Sequence, residues 1–118
     1  MVTTETRPDM ATLRGKAAEA ARMLTLLGNE NRLLVLCHLA GAGEMTVTSM
    51  AEAVGLSQPA LSQHLARLRE DGLVATRKAS QTVFYRLTDP KVTTLLDVLR
   101  DLYCPPEPNP TTKGIEQC

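Results

Sequence analysis

Tryptophan is absent, and the chain of 118 residues holds one phenylalanine and two tyrosines, Phe84, Tyr85 and Tyr103. So few rings leave no platform on which successive single-stranded bases could stack, which excludes that mode of nucleic-acid binding. Cysteine occurs at Cys37, Cys104 and Cys118 alone. That is too sparse for the disulfide framework of a small secreted domain, and thiols in a reducing compartment are expected. Neither sign of charge dominates, because 13 basic side chains balance 13 acidic ones. A general nucleic-acid or membrane binder is therefore not indicated, and any basic surface has to be local. No apolar run approaches the ~18 residues of a membrane span. The first ten residues, MVTTETRPDM, lack the apolar stretch of a signal peptide. A cytoplasmic protein with no membrane partner is the expectation.

What is present is ordinary globular usage, 43% hydrophobic and 22% charged residues, in a length that suits one domain. Residues 1–10 are polar and aperiodic and read as a flexible tail, 11–104 as the domain, and the Pro-rich 105–118 as a second flexible tail. Cys118 ends that tail and reads as an incidental thiol. Over 11–27 strong helix formers carry Leu13, Ala17, Ala20, Ala21, Leu24 and Leu27 at helical spacing, which predicts a first helix closed by Gly28 and Asn29. A second, strongly apolar helix follows over 30–40, with Gly41 and Gly43 breaking it.

The segment after it is the most informative. Thr46 is placed to cap a short helix through Val47, Met50, Ala51 and Val54 that stops at Gly55, and Leu56 fills a buried turn position. Ser57 then caps a further helix with Pro59 in its first turn, where a missing N–H costs nothing. Ala60, Leu61, Leu65 and Leu68 supply its inner stripe, and Gly72 ends it. Two short helices about a Gly-containing turn make a helix-turn-helix. Beyond Gly72 the period falls to two: 73–77 and 82–87 read as the strands of a β-hairpin with 78–81 as its tip. Thr88 or Asp89 caps a last helix, with Pro90 in its first turn, a face of Val92, Leu95, Leu96, Leu99 and Leu102, and a stop at Pro105 and Pro106. The fold class is mainly α with a β-hairpin wing: a winged helix-turn-helix of five helices.

In such a fold the second helix of the pair enters the major groove and the hairpin lies along the backbone or in the minor groove. Charge follows the same region. Between Ser57 and Arg86 the basic Arg67, Arg69, Arg77, Lys78 and Arg86 face only Glu70 and Asp71. Arg67, Arg77 and Lys78 suit phosphate. The uncharged Ser57, Gln58, Ser62, Gln63 and His64, with Pro59, Ala60 and the wing residue Gln81 beside them, suit base edges and close approach. Double-stranded DNA is the expected partner.

The run GLSQPALSQHLARLREDGLVATRKASQTVFYRL, with Ser62-x-His64-Leu65-x-x-Leu68, Gly72-Leu73-Val74 and Tyr85-Arg86-Leu87, resembles the ArsR/SmtB family of small winged-helix repressors over 11–103. The resemblance implies a homodimer closed by first and last helices and a pseudo-palindromic, inverted-repeat operator. Many members sense metals. One metal pattern of the family needs a Cys-x-Cys pair where this chain has Leu36-Cys37-His38-Leu39; another needs His on the last helix, where 91–103 has none. No metal or other cofactor is expected, with a metal-responsive site from Cys37, His38 and Cys104 kept as an alternative. The placement of one Cys in the second helix and one at the end of the last is similar to the thiol-based subgroup, the BigR/SqrR-like and HlyU-like repressors. That likeness implies Cys37 and Cys104 as a redox-sensing pair that reactive sulfur species bridge through a polysulfide, releasing DNA. A general oxidant sensor is the other alternative. The residues alone favour Cys37 as a small buried apolar side chain among Leu33, Leu34, Leu36 and Leu39, in a setting that raises a thiol pKa, while a helix C-terminus disfavours a thiolate at Cys104. No Cys-x-x-Cys, nucleophile elbow or phosphate loop supports an enzyme.

Overall fold

The computed structural model describes residues 10–104 and orders them as helix α1 (Met10–Leu27), α2 (Glu30–Ala42), α3 (Val47–Val54), α4 (Gln58–Glu70), strands β1 (Val74–Ala79) and β2 (Thr82–Leu87), and α5 (Pro90–Tyr103). The mainly helical class with one hairpin is therefore as expected. Met10, assigned above to the first tail, opens α1; the remainder of that tail, 105–118 and Cys118 lie outside the described residues. The chain divides inside α2 into two compact units, one ending at Leu33 and one beginning at Leu34.

In the first unit α1 buries Leu26 and Leu27, whereas Leu13 and Leu24 of the predicted stripe are exposed. The helix ends where the Gly28 N–H donates to the Thr25 carbonyl at 3.2 Å, and a Cβ at Gly28 would meet the Leu24 carbonyl oxygen at 3.1 Å. Asn29 belongs to the next helix rather than to this one: its Oδ1 accepts the Arg32 N–H at 3.1 Å and caps the start of α2.

The second unit holds the winged helix-turn-helix. On α2, Val35, Leu36 and Leu39 are buried. This helix continues through Gly41 to Ala42, past the expected break, because a lone glycine weakens a helix by about 1 kcal/mol without ending it. Gly43, at φ +86°, does end it. Thr46 Oγ1 accepts the Ser49 N–H at 3.1 Å and caps α3. Gly55, at φ +74°, closes that helix with its N–H on the Ala51 carbonyl, and Leu56 after it is half-buried rather than buried. Ser57 Oγ accepts the Ala60 N–H at 3.3 Å to start α4. Leu61, Leu65 and Leu68 turn inward from α4 and are fully buried, while Ala60 is half-buried. With Met50, Val92 and Leu96 they form the core of this unit, each large side chain worth about 1.5–3 kcal/mol relative to exposure.

The wing is antiparallel, in register from Val74↔Leu87 to Ala79↔Thr82. Its tip is two residues, Ser80 and Gln81, so Lys78 and Ala79 belong to β1 and not to a four-residue tip. Ser80 reverses the chain at φ +60°. Met45, in the corner between α2 and α3, adds a backbone bridge to the free edge of β2. Asp89 Oδ1 accepts the Lys91 N–H at 2.9 Å and caps α5, which buries Val92 and Leu96. Leu95 and Leu99 are half-buried, and Leu102, predicted on the same inner face, is exposed.

Candidate DNA-binding surface and thiol site

Two caps set the aim of α4. The Ser57 hydroxyl holds its first turn, and the Gln58 side-chain amide donates to Thr48 Oγ1 at 3.2 Å, tying that turn to α3. Ser57, Gln58, Pro59, Ser62, Gln63 and Arg67 are exposed, so one polar face of the helix carries hydroxyl and amide groups with a guanidinium further along. Ala60 and His64 are half-buried beside it. Arg67 Nε lies 3.3 Å from Asp71 Oδ2, an exposed pair one turn apart that phosphate can compete with.

On the wing Lys78 and Gln81 are exposed. Arg77 differs from them. Its Nε donates to Glu44 Oε2 at 2.7 Å and its Nη2 to Oε1 at 2.9 Å. The same guanidinium stacks 4.7 Å from the centroid of Phe84, the residue opposite it in the hairpin register. The hydrogen bond from Arg77 is the main force holding the Glu44 carboxyl below its usual range; burial opposes it, and the charges of Arg77 and Arg86 add to it. The same bond and the carboxylate charge raise Arg77. Glu44 was not among the residues singled out from sequence, and a partner 33 positions away leaves no local signal.

Cys37 is half-buried on α2 and is a free thiol. Burial pushes it above its ordinary value, and the positive charge of Arg100 on α5 pulls it partly back. Arg100 also receives the Cys104 N–H on its carbonyl at 2.7 Å, so one residue links the neighbourhood of Cys37 to the end of α5. Cys104 is half-buried and disulfide-bonded, so the two cysteines are not joined to each other here. His38, next to Cys37, is exposed. Among the described residues no three His, Cys, Asp or Glu side chains converge as metal ligands.

Comparison with known proteins agrees with this architecture. The family described as bacterial regulatory protein, arsR family, matches residues 29–76, from the α2 cap into β1. The transcriptional activator HlyU of Vibrio cholerae is 48% identical over 88 residues, 75% of this chain and 81% of that protein. A biofilm growth-associated repressor of Xylella fastidiosa is 38% identical over 105 residues, 87% of this chain and 91% of its own. The crystal structure of the repressor BigR from Xylella fastidiosa superposes with a TM-score of 0.77 at 36% identity, covering 82% of this chain and 98% of that one.

Proposed function

We propose, for a chain that belongs to the arsR family of bacterial regulatory proteins and so regulates transcription by binding DNA, that it is a repressor released from its operator when reactive sulfur species join Cys37 to Cys104. The observation that carries the thiol reading is Arg100. It bears on the Cys37 thiol electrostatically and accepts the Cys104 N–H, which puts the chemistry of α2 beside the last turn of α5.

The reaction balances without a further oxidant. A persulfide donor transfers one sulfur to the Cys37 thiolate and leaves as a thiol. The terminal sulfur of the Cys37 persulfide then attacks Cys104 Sγ, the S–S bond already at Cys104 breaks, and the sulfur released from it departs as a thiolate. A trisulfide spans a gap that a direct disulfide, with Cα separations of roughly 4.4–6.8 Å, does not, so sulfur-chain length selects the inducer. The bridge ties α2 to α5 and favours an arrangement in which the two α4 helices of a homodimer no longer match an inverted repeat. A coupling of about 1–3 kcal/mol, roughly 5–150-fold in affinity, suffices. On the DNA side Ser57, Gln58, Pro59, Ala60, Ser62, Gln63 and His64 approach bases, Arg67 and Lys78 contact phosphate, and Gln81 works from the wing tip.

The test is peptide mass spectrometry of protein exposed separately to an organic persulfide, a peroxide and a disulfide, with DNA affinity measured on the same samples. A Cys37–Cys104 link carrying extra sulfur, formed with persulfide alone and accompanied by weaker DNA binding, is the expected result. A direct link formed equally by peroxide would make this a general oxidant sensor. No link under any condition would return both cysteines to packing roles.

A further inference from the structure

We propose that Glu44 and Arg77 are the positioning pair of the wing: the carboxylate clamps the guanidinium against Phe84, fixes the pitch of the hairpin on the corner between α2 and α3, and leaves phosphate contact at this level to Lys78. This rests on the reading that the wing meets DNA. A two-stranded ribbon twists easily and is marginal by itself, so its angle to the rest of a DNA-binding surface has to be set by something outside it. Three observations meet at one place to do so. Met45 exchanges backbone hydrogen bonds with Tyr85 in both directions, at 3.0 and 2.8 Å, which seats the corner against the edge of β2. Glu44, the residue before it, reaches across to β1 and takes both donors of the Arg77 fork, at 2.7 and 2.9 Å. Phe84, cross-strand partner of Arg77, lies under the guanidinium at 4.7 Å.

An ordinary exposed ion pair contributes little. This one is bidentate, stacked on a ring and backed by a backbone bridge, the circumstances in which a surface pair holds one geometry. Arg86 shares the face of Arg77, because the pair Ala75↔Arg86 lies two positions along the register, and its charge also acts on Glu44. Two guanidinium groups on one side of the wing thus converge on a carboxylate from outside it. Lys78, one position on, projects from the opposite face and is exposed.

The experiment measures affinity by fluorescence anisotropy over a range of salt, on a duplex selected from a randomised library by the unmodified protein and on a random-sequence duplex. The variants are Glu44→Gln, Arg77→Lys, Arg77→Gln, the double Glu44→Gln/Arg77→Gln, and Lys78→Gln. If the pair positions the wing, each single change at 44 or 77 weakens binding to the selected duplex about 5–10-fold, and the double variant is no weaker than either. Arg77→Lys then fails like Arg77→Gln, since an ammonium keeps the charge but cannot form the fork. Binding to the random duplex and the salt slope for Arg77→Gln stay as in the unmodified protein, which also shows that the variants are folded. The proposal is overturned if Arg77→Lys binds normally, if Glu44→Gln binds more tightly, or if Arg77→Gln reduces the salt slope by about 0.9, the mark of a lost phosphate contact. Unchanged affinity in all the 44 and 77 variants overturns it as well. Lys78→Gln tests the premise separately: a slope reduced by about 0.9 supports a wing on DNA, and an unchanged slope removes the premise and the proposal with it.

Discussion

Cys37 illustrates how little activation a sensing thiol receives from its own helix. Reaction requires the thiolate, and burial among apolar neighbours opposes it while Arg100 helps only in part. The folded chain therefore keeps this proton to a higher pH than the unfolded chain does. Iodoacetamide modification of the Cys37 peptide, followed by mass spectrometry, should rise with pH along a curve displaced to the alkaline side of that measured in urea. Arg100→Gln should displace it further and slow the reaction at neutral pH; an unaltered curve would deny Arg100 any part. The linkage has a definite sign. A raised folded-state value means that the contribution of Cys37 to stability is complete below the unfolded value and is lost as pH rises through the folded one. Ser80 is the other residue whose setting invites a substitution. It turns the wing at φ +60°, a left-handed conformation that a Cβ penalises and glycine accepts. Ser80→Gly should raise stability by about 0.5–1 kcal/mol, seen as a higher urea midpoint at constant m-value. A lower midpoint would mean that the hydroxyl contributes more than the strain costs.

Among the elements, α4 depends on two kinds of residue that can be separated by measurement. Leu61 is fully buried, and Leu61→Ala should cost about 2–5 kcal/mol of unfolding free energy. Ser57→Ala removes only the cap, about 1 kcal/mol. A urea titration of each variant checks both, and equal losses would show that the cap is no minor term. The ends and faces of α3, α4 and α5 were legible in the sequence because the signals are local: Thr46, Ser57 and Asp89 cap, Pro59 and Pro90 fall in first turns, and Gly55 reverses the chain. Local signals misled where a residue departs from its habit. Gly41 stays helical, and Ser80 takes a conformation usually left to glycine, which shortened the wing tip from four residues to two. Distance in sequence hid the rest. Glu44 meets Arg77 across 33 residues, and Arg100 acts on Cys37 from another helix, neither of which any periodicity encodes.

At the scale of the whole molecule, the last two turns of α5 pose a question that one copy of the chain leaves open. Val98, Leu102 and Tyr103 are 48%, 68% and 77% exposed, and on α1 Met10, Leu13 and Leu24 are exposed as well. Apolar side chains grouped on a helix that also carries buried Val92 and Leu96 suit a second copy of the chain, the arrangement typical of this family. A two-fold dimer carries two α4 helices, which reach successive major grooves when their centres are about 34–36 Å apart, and the operator is then an inverted repeat. Leu102→Glu should halve the mass found by sedimentation velocity without unfolding the subunit, because Leu102 contributes nothing to the core of its own chain. The salt slope of DNA binding should then fall to about half, since the slope counts phosphates contacted and a single subunit contacts half as many. A variant that stays dimeric with an unchanged slope would place the interface elsewhere, and would free the end of α5, with Cys104 at its tip, from any direct part in spacing the two α4 helices.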